Sequence, residues 1–197
     1  DTLGYGEVEV YQSALEFSKG NFINNFYIFA ETPLSKYIFT LSLLVINGPV
    51  EFSLRIVSVL FGFLTIVAVF LFTKKLYNDY KIALFASLFT SLSIIHIQFS
   101  RYVQFESALS FFYVAVFYFL WLFLEKRSNR NAALLGVIIA LGILIKTIFI
   151  NALITIILFA VLYKIITIKI KPSFSLTLDN KFIKAIFVAI IVFFLVW

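Results

Sequence analysis

The sequence predicts an all-α fold, a polytopic bundle of membrane-spanning helices. Hydrophobic residues make up 62% of the 197 positions, and 26 residues are phenylalanine, whereas soluble domains are typically about 45–50% apolar. The apolar residues fall into long windows, and a window of about 20 such residues is long enough to cross a bilayer. Basic residues concentrate at one set of window ends, as the positive-inside rule requires of a membrane protein.

The N-terminal region is polar and precedes the apolar windows. Residues 1–33 hold five of the ten acidic residues and predict an outward loop with a short helix over residues 7–18. Residues 34–46 are apolar, but they are bounded by Pro33 and by the Asn47-Gly48-Pro49 break, so they are too short to span and suit a helix lying in the membrane interface.

The remaining chain predicts about six spans. The windows are residues 53–73, 82–99, 107–124, 132–150 and 151–168, with a sixth that begins near residue 182. We therefore divide the chain into an extracytoplasmic loop over residues 1–52 and a transmembrane bundle over residues 53–197. The chain contains no methionine, and we expect it to be an internal or truncated piece of a longer membrane protein.

The charges predict an orientation. One face takes the loop of residues 1–52 and the turns near residues 98–106 and 146–151. Together with Arg55, just inside the first span, that face has five basic and seven acidic residues, a net −2, whereas the other face has eleven basic and three acidic residues, a net +8. The positive face is cytoplasmic by the positive-inside rule. The net charge therefore reflects topology, and it does not indicate nucleic-acid binding.

Composition excludes several kinds of site. The chain has no cysteine and a single histidine, His96, so disulfides, thiolate nucleophiles and multi-histidine metal clusters are excluded.

Four charged residues lie at similar depth near the outer ends of the predicted spans: Arg55, Arg101, Glu106 and Lys146. Ionisable groups at membrane depth are costly and usually face a cavity or a partner. The pattern predicts an outward cationic pocket for an anionic lipid head group, since arginine binds phosphate through a planar fork. A set of snorkelling or mutually paired anchors is the alternative interpretation.

The order of these motifs resembles the GT-C membrane glycosyltransferases, and most closely the dolichyl-phosphate-mannose protein O-mannosyltransferases. That family has an acidic outward loop, a His-Pro-Pro-Leu-Gly-Lys motif, an arginine opening the next span, Ser-Arg-Tyr with an acid five residues after the arginine, and a glycine-containing helix that ends in lysine. The matching segments here are GEVEVYQSALEFSKG (6–20), TPLSKY (32–37), FSLRIVSVLFG (52–62), SRYVQFESALSFF (100–112) and LGILIK (141–146). The resemblance covers essentially the whole chain, as the N-terminal half of such an enzyme without its first span.

The resemblance implies transfer of a sugar from a polyprenyl (dolichyl) phosphate to an acceptor hydroxyl on a protein, glycan or lipid, at the outer face of a cell membrane or an endoplasmic-reticulum-type membrane. The departing phosphate needs positive charge, which Arg55, Arg101, Lys36 and Lys146 would supply. His96 and Tyr102 are further candidates for lining the site.

The acidic residues depart from the family pattern. Gly6 stands where the catalytic aspartate would align, and Glu7 matches the glutamate beside it. The base is therefore either Glu7, which the alignment favours, or Asp1, which the aspartate chemistry favours. Glu106 replaces an aspartate and would orient Arg101, bind the acceptor, or hold a divalent metal with the loop acid. No cofactor is certain, because two carboxylates without histidine suit even a hard cation only weakly.

Two other departures lie in the loop motif, where Thr32 and Ser35 replace a proline and a glycine.

The missing aspartate at position 6 keeps a second function class open: a non-catalytic subunit that binds or transports polyprenyl-phosphate sugars. Transporters usually show paired interrupted helices in two halves, and the sequence pattern predicts no such pair. A purely structural scaffold would not need Arg55, Arg101 and Lys146 at one depth.

Overall fold

The computed structural model describes residues 5–20, 32–46, 48–152, 154–156 and 158, with short helical pieces at 184–185, 188 and 191–192. Within these residues the chain forms α-helices joined by short turns. The helices are α1 (Tyr5–Ser18), α2 (Pro33–Val45), α3 (Val50–Tyr77), α4 (Tyr80–Leu92), α5 (Ile94–Arg101), α6 (Glu106–Glu125) and α7 (Asn129–Ile145). A short 3₁₀ turn, Thr147–Phe149, follows α7.

The two predicted loop helices are present and separate from the spans. α1 contains the predicted segment 7–18 and packs on α2. α2 begins with Pro33, whose fixed φ suits a first helical turn. It ends at Val45, and α3 begins only after Pro49. The predicted break between the interfacial segment and the first span is therefore confirmed.

Two helices are long and apolar enough to cross a membrane, namely α3 with 28 residues and α6 with 20 residues. They contain the predicted windows 53–73 and 107–124. α3 ends at Tyr77 and is followed by Asn78, which adopts the left-handed conformation common after a last helical turn. These helices confirm a membrane bundle as the fold class.

The predicted window 82–99 is interrupted, which the sequence analysis missed. The structure divides it into α4 and α5, bent by 60° at Ser93. Ser93 has an extended backbone, its N–H binds the carbonyl of Thr90, and its hydroxyl accepts from the N–H of His96 at 3.5 Å. One serine thus ends α4 and caps α5, because serine side chains compete with helical hydrogen bonds.

The fourth window ends earlier than predicted. α7 stops at Ile145, and the chain turns through Lys146 and the 3₁₀ turn. The polar Lys146-Thr147 pair, and not residue 150, is the helix boundary. Most of the windows 151–168 and 182 onward lies outside the described residues.

α3 lies at the centre of the described bundle and packs against α4, α5 and α6, while α6 packs against α7, and α2 against α3 and α7. Leu54, Val116 and Leu135 are fully buried between these helices. Large apolar side chains are exposed on α4, where Phe89 is 72% exposed, as expected of a lipid-facing surface. An ion pair at 2.6 Å between Lys75 and Glu125 joins the ends of α3 and α6 that the sequence places on one side.

Candidate functional site

The turn between α5 and α6, residues 102–105, is held firmly against α2 and α3. Its apolar side chains, Val103 and Phe105, are buried. The Phe105 ring packs edge-on against Phe39 of α2, with centroids 4.8 Å apart. The hydroxyl of Ser58 on α3 donates to the carbonyl of Gln104 at 3.2 Å. This turn therefore sets where Arg101 leaves α5 and where Glu106 begins α6.

Glu106 forms an ion pair with Lys146. The Lys146 Nζ donates to the Glu106 Oε1 at 2.7 Å, and each side chain is 27% exposed. The two residues are 40 positions apart, so the pair joins the start of α6 to the end of α7. The structure thus brings two predicted site residues together, and the partner of Glu106 is Lys146 rather than Arg101.

Lys146 is placed by a close contact within its own segment. Its backbone is extended, and its N–H donates to the carbonyl of Gly142 at 3.2 Å. The buried Phe149 ring packs on Gly142, where an added Cβ would lie only 2.2 Å from a ring carbon. The absence of a side chain at Gly142 lets the chain fold back and directs Lys146 toward α6.

Arg55 lies in the second turn of α3, three residues before Ser58. Residues three apart share a helix face, so Arg55 lies on the side of α3 that contacts the turn at 102–105. Its Nε is buried and has no hydrogen-bond partner among the residues that the structure describes. Buried polar groups are almost always paired, so this donor fits an anion that binds beside α3.

Arg101 and Tyr102 lie at the end of α5, and both are exposed. Within the described part of the chain, neither side chain has an ion pair or hydrogen bond. The Arg101 guanidinium is therefore available to an external ligand.

Lys36 lies on α2 and is only 7% exposed. Its Nζ is 5.9 Å from the ring centroid of Phe17 on α1, near the outer limit for a cation–π contact. A lysine is rarely this buried without a polar contact, and Lys36 has further interactions beyond this ring.

His96 joins two helices. Its Nε2 lies 3.2 Å from the carbonyl oxygen of Gly62 on α3. Gly62 allows α5 to pack this closely on α3, because an added Cβ would collide with the Ser100 side chain. The contact gives His96 a packing role between α3 and α5, and contact with a ligand stays a prediction.

Sequence reasoning missed a polar link from the loop motif to α7. The hydroxyl of Thr32 donates to the carbonyl of Leu144, and the hydroxyl of Ser35 donates to the carbonyl of Thr32. Both donors are fully buried. One feature of the sequence could have indicated this link: Thr32 and Ser35 are the two positions at which the loop has a hydroxyl in place of the proline and glycine of the family motif.

The proposed base lies at the edge of the described structure. Glu7 is within α1, but its side chain, like the whole of Asp1, is outside the described residues. Within the described part of the chain, no three histidine or acidic residues are grouped to hold a metal ion. A metal held with the loop acid stays a prediction.

A family model described as dolichyl-phosphate-mannose-protein mannosyltransferase matches residues 30–197. The matched range includes the four cations and Glu106, whereas Asp1 and Glu7 precede it. No curated protein and no solved structure matches the chain.

Proposed function

The chain belongs to the dolichyl-phosphate-mannose-protein mannosyltransferase family, and from this we propose that it is a multi-pass membrane glycosyltransferase. It takes a sugar from a dolichyl or other polyprenyl phosphate and transfers it to an acceptor hydroxyl on a protein. The family indicates mannose as the sugar. The reaction takes place at the extracytoplasmic face of a cell membrane or endoplasmic-reticulum-type membrane. The family match over residues 30–197 carries this proposal, because it spans most of the chain.

The leaving group of this reaction is a lipid phosphate whose negative charge grows as the sugar departs. Fixed positive groups lower the barrier most when they are aimed at the developing charge. Arg55, with an unsatisfied buried Nε, and Arg101, exposed beside the anchored turn, meet this need. Lys146 lies at the same end of the bundle and is held by Glu106 at 2.7 Å, and Lys36 supplies a fourth cation.

The acceptor hydroxyl must lose its proton, which requires a general base. Glu7 or Asp1 on the outer segment would take this role. Glu106 is committed to an ion pair with Lys146, so we assign it to orienting that lysine and to contacting the acceptor.

The test is reconstitution of the protein in liposomes with dolichyl phosphate carrying radiolabelled mannose and a serine- and threonine-rich peptide. We expect label to appear on the peptide, and Glu7→Gln or Asp1→Asn to abolish transfer while donor binding persists. Glu9→Gln, an acidic residue on the same helix, is the matched control and should retain transfer.

Two outcomes would contradict the proposal. Tight donor binding without transfer to any hydroxyl acceptor would make the chain a donor-binding subunit. Absence of both donor binding and transfer would remove the polyprenyl-phosphate sugar as the substrate class.

A further inference from the structure

We propose that Thr32 is a positioning residue whose hydroxyl ties the start of α2 to the end of α7. The start of α2 carries Lys36, and the end of α7 carries Lys146. One buried hydrogen bond would thereby set how far apart these two cations lie.

The hydrogen bond gives a partner to a carbonyl at the end of α7 that has none within the helix. The last carbonyls of an α-helix have no intrahelical partner, and Leu144 is the second-to-last residue of α7. Its carbonyl accepts from the Thr32 hydroxyl. Thr32 is 0% exposed, so water cannot replace this donor without opening the contact between α2 and α7.

The Thr32 hydroxyl donates to the Leu144 carbonyl and does not form the local capping hydrogen bond that threonine commonly makes at the start of a helix. Thr32 precedes the first residue of α2, where threonine commonly caps the helix with its side chain. Its side chain makes no such cap, since the hydroxyl is directed to α7. The hydroxyl of Ser35, one turn later, donates to the Thr32 carbonyl at 2.5 Å and fixes that residue from the α2 side.

The link depends on the two residues, Thr32 and Ser35, at which the loop motif described above has a hydroxyl. A proline at position 32 has no group that can donate to Leu144, and a glycine at position 35 has no hydroxyl. The Thr32 backbone has φ −86° and ψ 161°, close to the values that proline adopts.

The expected consequence for donor binding rests on the proposed function. Lys36 lies one helical turn beyond Thr32, and Lys146 lies two residues beyond Leu144. Loss of the link would let α2 move relative to α7 and would weaken any ligand that both lysines contact. The effect on the helices themselves does not depend on what the ligand is.

The first arm of the test measures the distance between α2 and the 3₁₀ turn that directly follows α7. Spin labels on cysteines at Leu41 of α2 and Ile148 of this turn report it, since both positions are exposed and the chain has no native cysteine. We expect Thr32→Val to shift or broaden this distance and Thr32→Ser to preserve it. Thr40→Val is the matched control, because the Thr40 hydroxyl donates to Ala14 of α1.

The second arm measures kinetics with dolichyl-phosphate mannose. We expect Thr32→Val to raise the donor KM about tenfold, the cost of leaving one buried carbonyl unpaired, while kcat changes less than about twofold. Thr32→Ser should restore the wild-type KM.

The proposal is wrong if Thr32→Val leaves the distance unchanged, or if Thr32→Ser behaves like Thr32→Val. A distance change confined to Thr32→Val, with no transfer by any variant including the wild type, would uphold the link and contradict the proposed function. A changed distance with an unchanged donor KM would overturn the positioning role.

Discussion

Under the proposed function, Arg101 is the cation best placed to contact the donor phosphate, because its side chain is exposed and makes no ion pair or hydrogen bond within the described part of the chain. It lies at the end of α5 and is exposed, next to a turn that α2 and α3 hold in place. We expect Arg101→Ala to weaken binding of the polyprenyl-phosphate donor about 10- to 100-fold, the loss of one charge-assisted hydrogen bond. Equilibrium binding in detergent or nanodiscs measures it. Arg130→Ala is the control. Arg130 is an exposed arginine at the start of α7, at the other end of that helix from Lys146, so this variant should bind the donor normally.

The Glu106–Lys146 pair should contribute measurably to stability. Each side chain is 27% exposed, so solvent screens the attraction less than at the surface. We expect a double-mutant cycle with Glu106→Gln and Lys146→Met to give a coupling free energy of about 1 kcal/mol. The matched pair is Lys75 and Glu125, which is more exposed and should couple more weakly. A coupling free energy of zero at Glu106–Lys146 would show that the pair does not stabilise the fold and would contradict this prediction.

The sequence identified the charged residues of the candidate site but not all of their contacts. Arg55, Arg101, Glu106 and Lys146 could be singled out because a charge at or near the end of an apolar window is costly at membrane depth. The partner of Glu106 could not be predicted, because it depends on how α6 and α7 align and on the fold-back of Phe149 over Gly142. Such contacts arise from packing between segments distant in sequence.

At the level of helices, Gly142 is the position where packing leaves no room. An added methyl group would collide with the buried Phe149 ring. We expect Gly142→Ala to lower the free energy of unfolding by about 1–3 kcal/mol, as other overpacked sites do, and to disturb Lys146. Gly48→Ala is the control, since its Cβ would meet only ordinary contacts at 3.6 Å or more. Equal stability of the two variants would contradict the close packing of the 3₁₀ turn on α7.

Helix existence was easier to predict than helix continuity. The apolar windows that became α3 and α6 are long, and the Pro49 break is a strong local signal. The interruption at Ser93 is weaker in sequence, because serine also occurs in uninterrupted helices such as α3. Only the capping contact between Ser93 and His96 distinguishes a helix end from a helix interior.

For the whole molecule, the central expectation is its orientation in the membrane. The structure places Lys75 and Glu125 at one end of the bundle, and Glu106 and Lys146 at the other. We expect a cysteine at Ser128 to be labelled by an impermeant reagent only after the membrane is opened. A cysteine at Gly48, which is exposed, should be labelled in intact cells. Labelling of the Ser128 position from outside would reverse the orientation and the location of the site.

The bend at Ser93 has a consequence for the lipids around the protein. α4 has 13 residues and α5 has 8, so α4 is about 20 Å long, and α5, bent by 60°, adds about 6 Å along the same axis. Their combined reach of about 26 Å is less than the hydrocarbon thickness of about 30 Å, while α3, at about 42 Å, exceeds it. This side of the bundle should therefore thin the bilayer, or α5 should be pulled upright in a thicker one. Because Arg101 ends α5, donor affinity should fall as the acyl chains of the surrounding lipids lengthen, which makes hydrophobic mismatch a control on the enzyme's access to its substrate.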